Sequence, residues 1–561
     1  MAEAPALQAW LDDFFAAYYR QHPVNATFIG VHTYDQVLPD FSPEGVATMA
    51  EEGATLLRRY AALPDEPRRP AAALDGELAR GFLELQAWEL ASHHFQAGNP
   101  CTYTGEAIFG VISLLLRPFA PLEERAAAAA ARMRAVPQLL AQGHAVLRRA
   151  PAAWIARAVR ECDGGLAFFG AGVDRFIAAG GLDGAELRLA ANQAGAALGA
   201  FRDFLTRELA PWDGGYACGT AALELYLRCA HFLDQRPAEI AHYARAVMDE
   251  CRAALEAGAS RFGAGSWREA LAGLANQHPG VEAYYQRYGE LWAACRALAE
   301  ERRLLTWPDY PIRYVPQPAW AREAAPKLYF LFYRAPAAFD QLDVVDSLVT
   351  PVEPEMPRAE QERLLRATND SVIKLNHVVH HGAIGHHVQN WHAYRAESRV
   401  GQVAAVDCAS RIAMACGGTM AEGWACYATD LMAEVGFLTP LEHYSQHHAR
   451  LRMAARALVD VELHTGRMSL AQAAELYHHD VGMAPEAAQA EAVKNSMFPG
   501  TALIYLMGTD RIHQLRRELA AREGPRFSLQ AFHDRFLSYG SVPVSLIARA
   551  MLAAPVPADA R

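Results

Sequence analysis

The sequence predicts a mainly α-helical protein: a large multi-helix bundle in two packed lobes that enclose a cleft, with at most a few short strands. Strong helix formers fill long stretches such as Ala185 to Phe204, where apolar residues recur at three- and four-residue steps. Alternating apolar and polar runs, which are typical of strands, are rare. At 561 residues the chain also exceeds the length at which one hydrophobic core usually stops growing.

Turn-forming residues divide the helical stretches. The strongest interruption is the proline-rich stretch from Trp307 to Pro318, WPDYPIRYVPQP. We therefore predict an N-terminal helical lobe over residues 1–305 and a C-terminal helical lobe, which carries the chemistry, over residues 306–561. Ile312 to Val315 is the best candidate for a short strand.

Charge and composition narrow the partners and the location. The 63 acidic and 52 basic residues give a net charge of -11, and no basic block could follow a phosphate backbone. Met1 to Phe15 has no secretion signal pattern, and the apolar run Val111 to Leu116 is too short to span a bilayer. Nine cysteines have no paired spacing. We expect a cytoplasmic protein with a small-molecule substrate and no nucleic-acid or membrane partner, and we leave a homodimer open.

The densest chemical signal is Asn376 to Trp391, NHVVHHGAIGHHVQNW, in which five of the 22 histidines fall within eleven residues. Imidazole is the commonest protein ligand for transition metals, so such a cluster indicates a metal site. The alternative is a surface helix on which histidines have gathered by chance.

On a straight helix, His377 and His381 have the four-residue spacing that places two ligands on one face, whereas His380 and His387 could not bind one ion together. His380 and His387 would share an azimuth but stand about 10 Å apart along the axis, at 1.5 Å per residue. Gly382 and Gly385 permit a break in the helix that would bring His386 back toward His380.

A further ligand is expected from another element, and Glu422 is the candidate. It lies in the apolar, aromatic stretch Thr419 to Gly436, TMAEGWACYATDLMAEVG. A buried carboxylate needs a partner. The alternative partner to a metal is an arginine such as Arg395, Arg399 or Arg456.

These segments resemble the bacterial domain of unknown function 885 family, whose members look like zinc peptidases of the gluzincin type. The family motif His-Glu-x-x-Pro-Gly-His-His-x-Gln, followed some forty residues later by Glu-Gly-Trp-Ala, is matched by His380 to Gln389 and by Glu422 to Ala425. Further matches run from DDFFAAYYRQHPVNATFIGVHTYD to FHDRFLSYGSVPVSLI. The resemblance covers nearly the whole chain and implies a metallopeptidase-like fold.

The resemblance implies that His380, His386 and Glu422 bind a divalent metal, with His387 as the alternative to His386. Two nitrogens and one carboxylate with an open water position are typical of catalytic zinc. Zinc is therefore the expected ion, with iron or manganese as alternatives.

Two positions inside the motif differ from the family. His381 stands where the family carries its general-base glutamate, and Ile384 replaces the proline. A neutral His381 could still act as a general base near neutral pH, or it could become a fourth ligand. In the first role, the protein remains a hydrolase with an altered substrate preference. In the second role, His381 closes the position of the metal-bound water, or the ligand set favours a redox-capable ion such as iron or manganese.

Other side chains are candidates for the lining of the cleft. Tyr505 and His464 could donate hydrogen bonds to a developing oxyanion, and together with His381 they are the predicted catalytic residues. Arg456, Tyr333 and Arg334 are predicted to bind the substrate, which the arginines suggest is anionic.

Each of these candidates has an ordinary structural alternative. Tyr505 could be a core tyrosine with a satisfied hydroxyl. Arg456 and Asp460 stand four residues apart, a spacing that favours an ion pair on one helix. The stretch with Tyr333 and Arg334 could simply join the two lobes.

The sequence thus predicts a metal-dependent enzyme that hydrolyses or otherwise cleaves a small polar or carboxylated substrate. The rival hypothesis is a catalytically silent binding or scaffold protein with a peptidase fold. The retained ligand types favour the enzyme, and the missing glutamate favours the rival.

Overall fold

The computed structural model describes residues 5–65, 69–328, 337–340, 342–405 and 413–554, with the side chains of 413 and 414 excepted. It confirms the mainly α-helical class. In these ranges the strands form two short parallel pairs. They are β1 (Arg149–Pro151) with β2 (Ala210–Trp212), and β3 (Ile312–Pro316) with β4 (Val345–Val349). The strand expected from Ile312 is therefore present as β3.

The chain divides into two compact units, and the division differs from a single boundary near residue 305. Unit 1 contains Met1–Cys218 and Gln317–Leu342 within the described ranges, and unit 2 contains Gly219–Pro316, Asp343–Ala405 and Ala413–Arg561. Residues 219–305 thus fold with the C-terminal part of the chain. The proline-rich stretch contains β3, which pairs with a strand about 30 residues further along, and the chain passes from unit 2 to unit 1 near the end of this stretch, between Pro316 and Gln317.

Unit 1 consists of helices packed around an aromatic and aliphatic core. Trp10, Phe14 and Trp154 are each exposed by 1% or less. Within the unit α6 packs against α5 and α9, and α7 packs against α9. The helices are α1 (Pro5–Gln21), α2 (Pro23–Ile29), α3 (Pro43–Ala61), α4 (Pro70–Ala91), α5 (Pro100–Leu115), α6 (Leu122–Val146), α7 (Ala152–Ala167), α8 (Val173–Gly180) and α9 (Ala185–Arg207).

Unit 2 holds the histidine cluster. Two elements that the site depends on are π-helical, the π segment (Ile373–Gly382) and Ala413–Gly417. The α-helices are α10 (Thr220–Cys229), α11 (Pro237–Gly258), α12 (Trp267–Ala272), α13 (Tyr284–Glu301), α14 (Arg358–Ala367), α15 (Asp370–Val372), α16 (His386–Ala393), α17 (Arg399–Val403), α18 (Gly418–Glu434), α19 (Pro440–His464), α20 (Leu470–His479), α21 (Pro485–Met497), α22 (Ile504–Glu523), α23 (Leu529–Leu537) and α24 (Val544–Ala553).

Packing in unit 2 surrounds the π segment with helices. Both α13 and α18 pack against it, α18 also packs against α22, and α19 packs against α11, α21 and α22. Trp424 and Tyr427 of α18 are fully buried. The cluster is thus built on elements that are fixed by a hydrophobic core.

The eight cysteines in the described ranges are free thiols. None of the helices in those ranges combines the length and the apolar character needed to cross a membrane.

Candidate metal centre

The backbone breaks where the glycines predict it. The π segment (Ile373–Gly382) is followed by Ala383 with φ -128° and ψ -117°, and α16 begins at His386. A side chain at Gly385 would collide with the His380 carbonyl. Glycine is required there because the two parts of the chain approach so closely.

Two tryptophans stabilise this turn. Trp292 Nε1 donates to the Gly382 carbonyl at 2.8 Å, and Trp424 Nε1 donates to the Ile384 carbonyl at 2.9 Å. Ile384, in the place of the motif proline, is a fully buried core residue. The carbonyls that lose helical partners at the break therefore find side-chain donors.

The break brings three imidazoles together. His380, His381 and His386 offer ligand atoms that all lie within 4.8 Å of one another. The rings of His380 and His386 are perpendicular, with centroids 4.9 Å apart, and the His381 ring is 4.7 Å from that of His380. In the part of the chain that the structure describes, no other group of three or more histidine, cysteine or carboxylate ligands has this geometry.

Glu422 joins the three histidines from α18. Its Oε2 lies 3.4 Å from His380 Nε2 and 3.8 Å from His386 Nε2. Its Oε1 accepts a hydrogen bond from the Tyr505 hydroxyl at 3.0 Å. One carboxylate oxygen thus faces the histidines while tyrosine orients the other.

Close packing of α18 on α22 makes this contact possible. A side chain at Gly423 would lie 2.6 Å from the backbone of Gly508, and one at Gly508 would collide with the Thr419 carbonyl. The two helices therefore approach as only glycines allow, and Tyr505 reaches Glu422. The role of Gly508 was missed from the sequence, although it ends the segment PGTALIYLMG (499–508) that contains Tyr505.

The electrostatics of the cluster favour an ionised Glu422 carboxylate and a neutral His381 imidazole. Burial opposes the ionisation of Glu422, but its hydrogen bond with His380 and the nearby His386 hold the pKa of the carboxyl well below its ordinary value. Burial, followed by repulsion from His380 and His386, lowers the pKa of His381 well below its ordinary value. These are the protonation states in which both residue types bind metals.

His386 is oriented through its second ring nitrogen. Its Nδ1 donates to Gln389 Oε1 at 3.1 Å, and Gln389 Nε2 donates to Ser541 Oγ at 2.7 Å. Because an amide oxygen only accepts, Nδ1 carries a proton, so in the neutral ring the lone pair is on Nε2, the nitrogen that faces Glu422. Such partners fix the ring orientation of metal-binding histidines.

His381 has the matching tautomer. Its Nδ1 donates to the Asn376 carbonyl at 2.7 Å, so its lone pair is on Nε2. This arrangement suits both roles that the sequence leaves open, a metal ligand and a general base.

His387 points away from the cluster. Its Nε2 donates to the Tyr310 carbonyl at 2.7 Å, and its ring stacks on that of Tyr310 with an interplanar angle of 7°. Burial lowers the pKa of His387 to about 4. It is a neutral core histidine, and His386 is the member of the pair that faces His380.

Arg456 has a different partner from the one its spacing favours. The predicted ion pair with Asp460 is wrong, because Arg456 Nε donates to Glu491 Oε1 at 2.6 Å. Asp460 instead accepts three backbone N–H groups from residues 500–503, at 2.8 to 3.0 Å, and so positions the start of α22. The guanidinium carbon of Arg456 lies 4.6 Å from the centre of the Tyr505 ring.

His464 is not brought into the cluster. It is fully buried, and its Nε2 donates to the Asn495 carbonyl at 2.9 Å. A ring nitrogen held by an interior carbonyl cannot also donate to a substrate oxyanion, so this contact gives His464 a structural role. Tyr333 and Arg334 lie outside the described residues.

The whole-chain matches place this protein in a family. The model of the family described as bacterial protein of unknown function (DUF885) matches residues 23–551, and the chain belongs to this family. Comparison with curated proteins finds no match.

Two solved structures share the fold. One is a proposed lipoprotein of unknown function from Shewanella oneidensis, with a TM-score of 0.76 and 19% identity over 97% of this chain and 99% of that one. The other is a proposed lipoprotein from Colwellia psychrerythraea, with a TM-score of 0.76 and 17% identity over 97% and 98% of the two chains.

The descriptions of these two neighbours contradict the cytoplasmic location expected from the sequence. Lipoproteins are attached to a membrane through a lipid rather than free in the cytoplasm. The expectation rested on the pattern of Met1 to Phe15, on composition and on cysteine spacing, and the lipoprotein descriptions of the two neighbours overturn it.

Proposed function

We propose that this chain is a metal-dependent enzyme on a metallopeptidase-like scaffold, which hydrolyses or otherwise cleaves a small polar or carboxylated substrate. The observation that carries the proposal is the convergence of His380, His386 and Glu422 on one point, with Oε2 of the glutamate 3.4 and 3.8 Å from the two Nε2 atoms. The family resemblance to gluzincin-type zinc peptidases supports it.

The donor set fits a first-row divalent ion. Two imidazole nitrogens and one carboxylate oxygen form a common set for catalytic zinc, and iron or manganese accept the same ligand types. The tautomer of His386 and the ionised Glu422 suit such an ion. Bound there, it would supply Lewis-acid polarisation and water activation.

The protein side chains would position the ligands and move protons. Tyr505 donates to Glu422 Oε1 and so holds the carboxylate plane. His381, as the neutral tautomer with its lone pair on Nε2, stands where gluzincins carry a glutamate. It would either accept a proton from the substrate or nucleophile, or add a fourth donor to the ligand set.

The first experiment is elemental analysis of the purified chain together with a screen of small amides and esters that carry a carboxylate. We expect about one first-row ion per chain and a cleavage activity that a chelator removes and the ion restores. Glu422→Gln is the matched variant, because it keeps the shape and removes the ligand charge. It should lose most of the bound metal while remaining folded.

A chain that is folded and contains no stoichiometric ion would overturn the proposal in favour of a silent scaffold protein. The replacement of the motif glutamate by His381 is the observation that favours that rival. Bound metal without any activity in the screen would support a metal-loaded binding protein instead.

A further inference from the structure

The side of α19 next to Tyr505 carries a second arginine. Arg452 lies one helical turn before Arg456, so the two side chains start from the same face of the helix. Residues 453–455 between them are buried, whereas Arg452 is exposed. The sequence analysis did not single out Arg452.

The two arginines differ in what holds them. Arg456 is bound to Glu491 at 2.6 Å and lies over the Tyr505 ring. Within the ranges that the structure describes, no hydrogen bond or ion pair holds the guanidinium of Arg452. The carboxylate of Glu491 is already used by Arg456, and Lys494 is a further cation beside it. Arg452 therefore contributes a positive charge with no direct counter-charge.

Arg452 is exposed to solvent beside the groups that surround Arg456. Repulsion from Arg456, and then burial, lower the pKa of its guanidinium, in keeping with the position of the two arginines one turn apart on α19. Glu491 and Tyr505 are among the groups whose charges act on it.

Contacts of Tyr505 and the position of Cys426 connect this face of α19 to the candidate metal centre. Cys426 follows Glu422 by one turn of α18, and burial, followed by the Glu422 charge, raises the pKa of its thiol, while Arg456 and Arg452 lower it. The thiol thus lies between the cluster carboxylate and the arginines. Tyr505 also connects the two, since its hydroxyl donates to Glu422 and its ring contacts Arg456.

We propose that Arg452 binds a carboxylate of the substrate beside the candidate metal centre and so determines that the enzyme prefers carboxylated substrates. A guanidinium matches a carboxylate with two parallel hydrogen bonds, and one arginine without a counter-charge suits a group of one negative charge. Arg456 is then a positioning residue for Tyr505 rather than the substrate ligand. The inference rests on the proposed function, because it needs a reacting group held at the metal.

The test compares two series of hydroxamates on the metal-loaded chain by calorimetry. One series carries a terminal carboxylate at increasing spacer length, and the other consists of neutral alkyl hydroxamates of equal length. At the best spacer, the carboxylate should tighten binding about 10- to 100-fold, the range expected for hydrogen bonds to a charged group. Arg452→Gln should abolish that gain and leave the neutral series unchanged, while Arg452→Lys should keep part of it.

Arg467→Gln is the control, because it removes one positive charge just beyond the end of α19, from an arginine that interacts with Glu462. It should leave both series unchanged. If the carboxylate gives no gain in the wild-type protein, or if the gain survives Arg452→Gln, the inference is wrong and the proposed function stands. If neutral hydroxamates do not bind and no metal is retained, both fail together.

Discussion

Each unit of the molecule contains a cluster of histidine and carboxylate side chains. Carboxylates outnumber histidines in the cluster of unit 1, and histidines outnumber carboxylates in the cluster of unit 2. In unit 1, one imidazole, His32, lies between Asp35 and Asp340, with 2.8 Å from each ring nitrogen to a carboxylate oxygen. The ring also stacks on Phe119 at 3.8 Å. In unit 2, three imidazoles lie together, and Glu422 Oε2 lies 3.4 and 3.8 Å from the Nε2 atoms of two of them, His380 and His386.

The ratio of the two groups decides the chemistry that each cluster allows. Burial alone would lower the pKa of His32, but hydrogen bonds to Asp340 and Asp35 raise it to about 9, so the ring is charged and both nitrogens are donors. A charged imidazole has no lone pair to offer. His381, among other histidines, has its pKa lowered and keeps a lone pair. The first cluster is therefore a structural clamp, and only the second has the donors that a metal needs.

Of the differences between the two clusters, we expect the largest to be in metal binding. His386→Ala should reduce metal affinity by more than about 100-fold, a larger loss than the 10- to 100-fold typical of residues that merely orient ligands. His387→Ala should keep the metal and instead reduce stability, because it loses the contacts with Tyr310. Metal titration followed by elemental analysis measures both. The reverse ranking would mean that His387 is the ligand.

His381→Glu tests what replaced the family glutamate. We expect weaker metal retention or loss of the native activity, and no gain of peptide hydrolysis, because the buried Ile384 also replaces the motif proline, so the change at position 381 is not the only one in this loop. Cleavage of short peptides by the variant is the readout, since a well-placed base contributes about 10²- to 10⁴-fold. A variant that holds its metal and cleaves peptides well would contradict this. Unchanged native activity in His381→Ala would remove His381 from the mechanism.

A smaller effect is expected at the tyrosine that orients Glu422. Tyr505→Phe removes the 3.0 Å hydrogen bond and keeps the ring that contacts Arg456. Metal affinity should fall by about 10- to 100-fold, as for other residues that orient a ligand. The control is Tyr477→Phe, a buried tyrosine whose hydroxyl is bonded to Asn495. Equal metal affinity in Tyr505→Phe and wild type would show that the carboxylate needs no such support.

The smallest effect concerns the pH dependence of stability at His32. Because the folded pKa of about 9 exceeds the ordinary 6.5, its contribution is fully present below pH 6.5 and is lost as the pH rises through 9. The free energy of unfolding of the wild type should exceed that of His32→Gln by roughly 1 to 3 kcal/mol more at pH 6 than at pH 10. Denaturant titrations at the two pH values measure this difference. An equal difference at both would show that the His32 charge is not used.

Much of the candidate site could be predicted because its information is local. The glycines that break the helix lie within the motif itself, and a break at Gly385 is the only way to bring His386 close to His380. Helix propensity and apolar periodicity likewise predicted the mainly α-helical class. Glu422, forty residues away, was a candidate because it is a carboxylate in an apolar stretch, and the family resemblance, which supplies the second half of the motif, favoured a metal over an arginine as its partner.

The partners of the polar residues could not be predicted in the same way. Spacing on one helix favoured an Arg456–Asp460 pair, but the fold brings Glu491 from α21 to the arginine and the start of α22 to the aspartate. His464 looked like a hydrogen-bond donor to substrate and is instead bonded to the Asn495 carbonyl in the core.

The sequence by itself determined the helical class, the family, the break in the motif and the set of ligand-type residues, since these depend on neighbours along the chain. Tertiary structure alone decided that residues 219–305 fold with unit 2 and that His386 rather than His387 faces Glu422. It also decided that, among the described residues, Arg456 is paired with Glu491 while Arg452 has no hydrogen-bonded partner. The physical reason is that a side chain's hydrogen bonds and charge partners come from whichever elements pack against it. That packing is a property of the whole core rather than of any one segment.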